Sequence, residues 1–331
     1  MTEAIGRLRQ KIADWLTHQR TIRRRKLNVI PLEDRRLPDA SFGLTLGVLT
    51  LDGFDGSDSL KVELDASTDQ LHFSLSEGKW DAYDLADPAF QLSANGMILS
   101  VDSKSLSELR IDATDCATGG LASLEITGSP AGITVSQLTI TGAGSVVLDS
   151  TANDISRLTI SAESLELFDN HDLSIHGLNL TGSLDLTSSG AITNDPGATV
   201  SIGGHAQIVG AELVLGNHDT DTIEFSSLTM SVSGMANVSC HGNLELSGSS
   251  GADSLELHIS GDLTDAEATE LKVSGHANIS ANSVQLGDDV TDSIHFGSLT
   301  FHAIGDVSVS EADDTELTGT NTADSLVLVS A

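Results

Sequence analysis

The chain has 331 residues and a formal net charge of −32, and its residues are 39 % hydrophobic but only 3 % aromatic. Because negative charge repels phosphate groups, we expect no nucleic-acid partner. With 31 Gly and 5 Pro residues, the composition favours many short strands joined by tight turns over a core of large aromatic side chains.

The N-terminal segment, residues 1–42, differs from the rest of the chain. Residues 1–36 contain ten of the 16 Lys and Arg residues and only four of the 48 acidic residues. In segment 2–25, apolar residues such as Ile5, Leu8 and Ile12 recur every three or four positions. This spacing predicts a short amphipathic N-terminal α-helix. We expect the segment to cap the first β-coil or to form a disordered lead, and not to bind a membrane. Residues 1–42 therefore form a first region.

After Gly43 the hydrophobic period changes to two. The segments "LTLGVLTL", "LKVELD" and "LHFSL" alternate apolar residues with polar or small ones. Alternation of this kind is typical of half-buried strands. We therefore assign residues 43–119 to an N-terminal β region.

Residues 120–331 are repetitive. Apolar–polar–apolar triplets begin at Leu138, Leu158 and Leu178, which is a regular 20-residue spacing. A longer, 71-residue repeat relates "VSIGGHAQIVGAELVLG", which starts at Val200, to "LKVSGHANISANSVQLG", which starts at Leu271. It divides this region into copies at 200–270 and 271–331, each about three to four coils long. The pattern predicts an all-β, right-handed parallel β-helix. Tandem β-sandwiches are the alternative, which the gapless repeat disfavours.

The basic run Arg23–Lys26 precedes the segment "PLEDRRLPDA" at residues 31–40. This pattern resembles the short N-terminal motif of planctomycete extracellular proteins, a basic run followed by a Leu-Glu-Asp-Arg-Arg-Leu core. The matching residues are Leu32, Glu33, Asp34, Arg35, Arg36 and Leu37. The resemblance implies export, although the apolar region of an ordinary secretory signal peptide is missing. The alternative is a solvated basic tail that neutralises part of the acidic body.

The region from residue 120 onward also resembles the β-helical repeats of filamentous-haemagglutinin-type surface proteins. That resemblance implies an exported or cell-surface protein with a structural or adhesive role. It implies partners among cell-surface or matrix polysaccharides and proteins, or further β-helical repeats. We expect no transmembrane span, since no apolar stretch is long enough.

The sequence shows no nucleophile or metalloprotease motif, so we expect no catalytic activity. His205 and His276 occupy the same position of the repeat and are interpreted as turn or ladder residues. The alternative is a carbohydrate-active β-helix of the polysaccharide hydrolase or lyase type. Its sugar platform would come from the aromatic segment with Trp80, Tyr83 and Phe90.

Calcium is the cofactor that the acidic turns favour, since it prefers carboxylate oxygens; we expect no other cofactor. A calcium-binding surface repeat protein is therefore a further alternative. Two turns space Asp residues closely, "GNHDTDTI" at 216–223 and "GDDVTDSI" at 287–294. The candidate ligands are Asp219, Asp221, Asp288, Asp289 and Asp292. Solvated turns without a metal are the competing interpretation.

The C-terminal segment "ADSLVLVSA" has a strand pattern. We expect Leu326 and Leu328 to point inward on the last coil, and the free edge of that coil to allow self-association. The sequence leaves open whether Cys116 and Cys240 form a disulfide bond.

Overall fold

Nearly all regular structure in the described part of the chain is β-strand. The computed structural model describes residues 40–54, 58–80, 90–114, 121–126, 132–314 and 316–330, all within the unit Pro38–Ala331. The predicted helix at 2–25 and the targeting motif at 32–37 lie outside these residues. The described segments contain 27 strands and a single 3₁₀ turn at Ser103–Ser105.

The strands, numbered in chain order, have the following bounds: β1 Ser41–Thr45, β2 Val48–Asp52, β3 Ser59–Asp65, β4 Gln70–Leu75, β5 Phe90–Leu92, β6 Ile98–Asp102, β7 Glu108–Asp112, β8 Leu121–Ile126, β9 Thr134–Val135, β10 Gln137–Leu148, β11 Asp154–Ile155, β12 Arg157–Asp169, β13 Leu173–Leu180, β14 Leu184–Ser188, β15 Ala191–Gly210, β16 Glu212–Leu215, β17 Thr222–Val232, β18 Met235–Cys240, β19 Leu244–Leu246, β20 Ser249–Ala252, β21 Ser254–Ile259, β22 Leu263–Asp265, β23 Glu270–Ala281, β24 Val284–Leu286, β25 Ser293–Ala303, β26 Val307–Ser310 and β27 Leu326–Val329.

The first six strands form an antiparallel layer. The antiparallel pairs are β1 with β2, β3 with β4, β4 with β6 and β5 with β6. Trp80 and Phe90 are buried in this layer, and both make edge-on ring contacts with Phe42. Since β2 and β3 pair in parallel with β7 and β8, the antiparallel layer covers one edge of the first coil. Most of the aromatic side chains in the described structure therefore serve as core at this end.

From β7 onward every described pairing is parallel, and the chain winds through about nine turns of a β-solenoid. The pairing of β10 with β12 places Leu138 beside Leu158 and Ile140 beside Ile160, which confirms the 20-residue spacing for these two coils. On the following coil Leu178 pairs with Ile160 instead of Leu158, after a register shift at Leu158. The next turn places Leu165 beside Leu184. The all-β parallel solenoid predicted from the sequence is therefore confirmed.

Alternate residues of the stacked strands form the core. In β12 the buried positions include Leu158, Ile160, Leu165 and Leu167, and the residues between them are more exposed. Burial of each Leu or Ile side chain contributes roughly 1.5–3 kcal/mol. Because each coil buries its side chains against the next one, the stability of the solenoid depends on a continuous column of aliphatic residues.

The 71-residue repeat does not correspond to a whole number of turns. Three successive turns lead from Ile192 to Leu213, Ala236 and Leu255. The residue 71 positions after Ile192 is Leu263, eight residues further along the chain than Leu255. Leu263 pairs with Leu244, so it belongs to the neighbouring face. One copy therefore spans three turns and one further face. Equivalent residues of the two copies lie on adjacent faces of the solenoid.

The last described strand, β27, pairs with β26. Leu328 is partly buried against the core as predicted, whereas Leu326 is 46 % exposed. Leu326 pairs with the buried Val307 and lies on the same side of β27 as Leu328, so its predicted direction is confirmed. It is exposed because no described strand packs over it. Val327 and Val329, on the outer face, are also about half exposed.

Candidate functional site

An acidic corner forms where β22 ends beside the turn between β24 and β25. Asp265 is the last residue of β22, and Asp288 and Asp292 lie in the turn. One carboxylate oxygen from each residue lies within 4.8 Å of the other two. The turn begins at Gly287, which has a φ of +72°. A Cβ atom at this position would lie only 2.3 Å from the Ser310 carbonyl oxygen. Both features require glycine here. We call Asp265, Asp288 and Asp292 the acidic corner.

Backbone amides hold two of the three carboxylates in place. Asp292 accepts hydrogen bonds from the amides of Thr269, at 3.0 Å, and Asp289, at 2.8 Å. Asp265 Oδ2 accepts from the amide of Gly287 at 2.8 Å. The other oxygen, Asp265 Oδ1, is buried and has no hydrogen-bond partner in the described structure. A buried carboxylate oxygen without a hydrogen-bond donor destabilises the folded state, and a bound proton or cation would relieve this penalty.

The electrostatics of the acidic corner agree with this geometry. Burial first, and then the charges of Asp292 and Asp288, raise the pKa of Asp265 to about 6, against the hydrogen bond from the Gly287 amide. Like charges held close together disfavour ionisation. At neutral pH the corner therefore carries three carboxylates, of which one is poorly stabilised by the protein itself.

The first copy of the repeat shows how the same corner is satisfied without a cation. Asn194 stands at the position equivalent to Asp265, and Asp221 at that of Asp292. The Asn194 side-chain amide donates to Asp221 Oδ2 at 2.8 Å, and its oxygen accepts from the Gly216 amide at 2.8 Å. Burial acts to raise the pKa of Asp221, but hydrogen bonds from Asn194, Gly197 and His218 outweigh it, and the pKa is lowered. Replacing the amide by a carboxylate in the second copy removes the donor that Asn194 provides to Asp221 in the first.

Three of the predicted calcium ligands lie outside the acidic corner. Asp289 accepts two hydrogen bonds from Thr291, at 2.9 and 2.6 Å, which lower its pKa and point its carboxylate at its own turn. Asp221 is engaged by Asn194 and the backbone, as described above. Asp219 is exposed in the turn between β16 and β17. The structure therefore brings together only Asp288 and Asp292 of the predicted set.

The residue that completes the acidic corner, Asp265, was not predicted. It lies on the coil before that of Asp288, far from it in the sequence, and meets it only because consecutive coils stack. Extending the 71-residue alignment backwards from Val200 would have paired Asp265 with Asn194. That exchange of an amide for a carboxylate was the available signal.

The other candidate residues are placed as follows. His205 and His276 are exposed on outer faces, each with Nδ1 at 2.9 Å from a serine hydroxyl of the next coil. Trp80 and Phe90 are buried and cannot stack on a sugar, and Tyr83 lies outside the described residues. Cys240 is buried, which raises the pKa of its thiol, and it bonds to no described cysteine. Cys116 lies outside the described residues.

Comparison with known proteins agrees with the repeat geometry. Residues 162–229 and 233–300 each match the family described as "Repeats of unknown function (DUF5649)". The two DUF5649 matches begin at positions 162 and 233, an offset equal to the period read from the sequence. Both lie in the parallel solenoid, and the family description assigns no activity. No curated protein and no solved structure matches the chain.

None of the described residues forms a helix with the length and apolar character needed to cross a bilayer.

Proposed function

We propose that this protein is an exported or cell-surface β-solenoid with a structural or adhesive role and no catalytic activity. The proposal rests on the parallel ladder from β7 to β27. Its inward positions are mostly Leu, Ile, Val and Ala, and its outward positions are mostly Ser, Thr, Asn and acidic residues. A continuous aliphatic column of this kind gives a rigid support for a long polar surface.

The N-terminal segment supports the location. The basic run and the residues Leu32–Leu37 resemble the motif of planctomycete extracellular proteins, in which it precedes exported chains. The acidic body also suits a protein that must remain soluble outside the cell at neutral pH. In this proposal residues 1–40 act as an export signal, and the solenoid is the part that is exposed outside the cell.

The experiment expresses the full chain and a variant without residues 1–40 in the organism that encodes it, followed by immunoblots of cell fractions. We expect the full chain in the surface and medium fractions and the truncated chain in the cytoplasm. Finding both forms in the cytoplasm would refute export. A full-length chain in which Arg35 and Arg36 are replaced by Ser separates loss of the motif from loss of the whole segment.

A second candidate function is calcium binding, and the acidic corner favours it. Asp265 Oδ1 is buried without a donor, and the carboxylates of Asp288 and Asp292 lie within 4.8 Å of the Asp265 carboxylate. Three carboxylates offer up to six oxygens, and calcium takes six to eight oxygen ligands including water. A bound calcium ion would stabilise the folded chain by mass action and would join two consecutive coils.

Calorimetric titration of the metal-free protein with calcium chloride tests this candidate. We expect one saturable event in the wild type and its loss in Asp265→Asn, which keeps the shape of the side chain. The matched control is Asp219→Asn, which removes one charge from the equivalent turn of the first copy. Equal calcium binding by all three proteins would refute a site at the acidic corner.

A further inference from the structure

An open groove lies on the outer face of three consecutive coils. It has a volume of about 560 Å³ and is formed by β15, β17 and the segment that joins β19 to β20. The lining residues are His205, Gln207, Val209, Ser227, Thr229, Ser231, Ser247, Gly248 and Ser249. None of them is acidic, although the chain has 48 acidic residues. We call this surface groove 1.

Groove 1 is held by hydrogen bonds between coils. His205 Nδ1 lies 2.9 Å from Ser227 Oγ and 3.4 Å from Ser247 Oγ. Thr229 Oγ1 donates to the Ser247 carbonyl oxygen. Gly248 has a φ of +66°, and a Cβ there would lie 3.0 Å from Thr229 Oγ1. The glycine both allows the bend of the chain and leaves the floor of the groove open.

The second copy of the repeat reproduces these contacts. His276 Nδ1 lies 2.9 Å from Ser298 Oγ and 3.5 Å from Thr318 Oγ1. Thr300 Oγ1 donates to the Thr318 carbonyl oxygen at 2.8 Å, and Gly319 has a φ of +68°. The residues equivalent to the lining of groove 1 are His276, Asn278, Ser280, Ser298, Thr300, His302, Thr318, Gly319 and Thr320. They again include no acidic residue. We call this surface groove 2 because its residues are equivalent to those of groove 1; the cavity volume given above is that of groove 1 alone.

We propose that grooves 1 and 2 are two equivalent binding sites for a neutral, hydroxyl-rich polysaccharide. This proposal rests on the structural or adhesive role inferred above and names its ligand class.

The chemistry of the lining selects this class of ligand. Serine and threonine hydroxyls, the Gln207 amide and the imidazoles each offer both donors and acceptors, whereas the side-chain oxygen of Asn278 is buried. Sugar hydroxyls also donate and accept, so they can replace the water that covers these side chains. A protein partner would need an apolar anchor at the centre of the interface, which Val209 alone does not supply. An acidic polymer would be repelled by the net charge of −32.

The position of the two grooves implies how they act. Groove 1 follows the column Ala206, Leu228 and Leu246, whereas groove 2 follows Ala277, Leu299 and Leu317, in the column that continues from Leu255. These columns are adjacent faces of the solenoid, because one repeat exceeds three turns by one face. A straight polymer chain lying in groove 1 therefore does not continue into groove 2. One protein molecule can hold two polymer strands, which makes it a cross-linker.

Affinity electrophoresis of the purified full chain tests the proposal. The gels contain dextran, mannan or galactomannan as neutral probes and polygalacturonate as the acidic probe. We expect at least one neutral polymer to retard the wild type and polygalacturonate to have no effect. The double variant Gln207→Glu with Thr320→Glu puts a charge on an exposed position of each groove and should weaken retardation about tenfold. The control Thr222→Glu places the same charge on β17, on a different face.

The variants must keep the fold, so their circular dichroism spectra and melting temperatures are compared with those of the wild type. Each single variant should still bind polymer but should no longer cross-link it, as measured by the viscosity of the mixture. Absence of retardation by every neutral polymer would overturn the proposal, as would equal retardation of the double variant and the wild type. Because the assay uses purified protein, its failure leaves the surface location untouched.

Discussion

Replacing Asp265 by Asn gives the acidic corner of the second copy the side-chain donor that Asn194 provides in the first. The new amide would donate to Asp292, as Asn194 donates to Asp221 at 2.8 Å. A pKa raised from 3.8 to about 6 corresponds to about 3 kcal/mol of unfavourable free energy at neutral pH. Since Asp265 is only partly buried, solvent screening reduces this to about 1–2 kcal/mol. We expect the variant to melt roughly 2–6 °C higher in EDTA.

The pH dependence gives the sign of the effect. The folded state binds a proton to Asp265 more tightly than the unfolded state does, because its pKa is raised. The folded protein therefore gains stability from this group at low pH and loses it as the pH rises through about 6. The difference in melting temperature between Asp265→Asn and the wild type should vanish near pH 4 and reach its full value above pH 7.

Differential scanning calorimetry of both proteins across this pH range, in EDTA, is the assay. The control is Asp219→Asn, which relieves general repulsion without touching the corner and should change the melting temperature little at any pH. An Asp265→Asn variant that melts at or below the wild-type temperature at neutral pH would contradict the contact between Asp265 and Asp292.

Three further outcomes are expected. Asn194→Asp should bury an unpaired carboxylate against Asp221 and lower the melting temperature in EDTA, and calcium should restore part of the loss by mass action. Calorimetry with and without calcium measures the loss in EDTA and the recovery in calcium. A melting temperature unchanged in EDTA would contradict the expected destabilisation. Ala268→Gly should stabilise the chain by up to about 1 kcal/mol, since Ala268 has a φ of +61° where the first copy has Gly197; a loss of stability in thermal melts would show that this φ is wrong. Val327→Lys should reduce any concentration-dependent association seen by light scattering, because it places a charge on the exposed apolar face of β27; association that persists unchanged would exclude that face.

The β-solenoid could be predicted because the period of its coils is visible as a repeat in the amino-acid sequence. The spacing of Leu138 and Leu158 and the 71-residue repeat both follow from stacking similar coils. The antiparallel pairing of β1 to β6 could not be inferred, since alternation of apolar and polar residues is the same in parallel and antiparallel strands. The one-face offset between the copies also required the pairing register, because turn lengths vary from coil to coil.

The candidate site was predicted in part, for a related reason. Asp288 and Asp292 share a turn, so their proximity follows from the local sequence. Asp265 lies beside them only because two coils stack. Predicting this contact would require the exact number of residues in each coil. Grooves 1 and 2 were likewise not predicted, because their residues come from three coils. His205 and His276 were identified as repeated positions, and their serine partners became visible only in the fold.

Surface labelling of intact cells of the organism that encodes the protein tests the central claim most directly. An antibody against the folded solenoid, applied before and after gentle external proteolysis, reports whether the chain is presented outside the cell. The account predicts strong labelling of intact cells that external protease removes, with little protein left inside. Labelling that appears only after the cells are broken open would contradict the claim that this is a structural or adhesive protein of the cell surface.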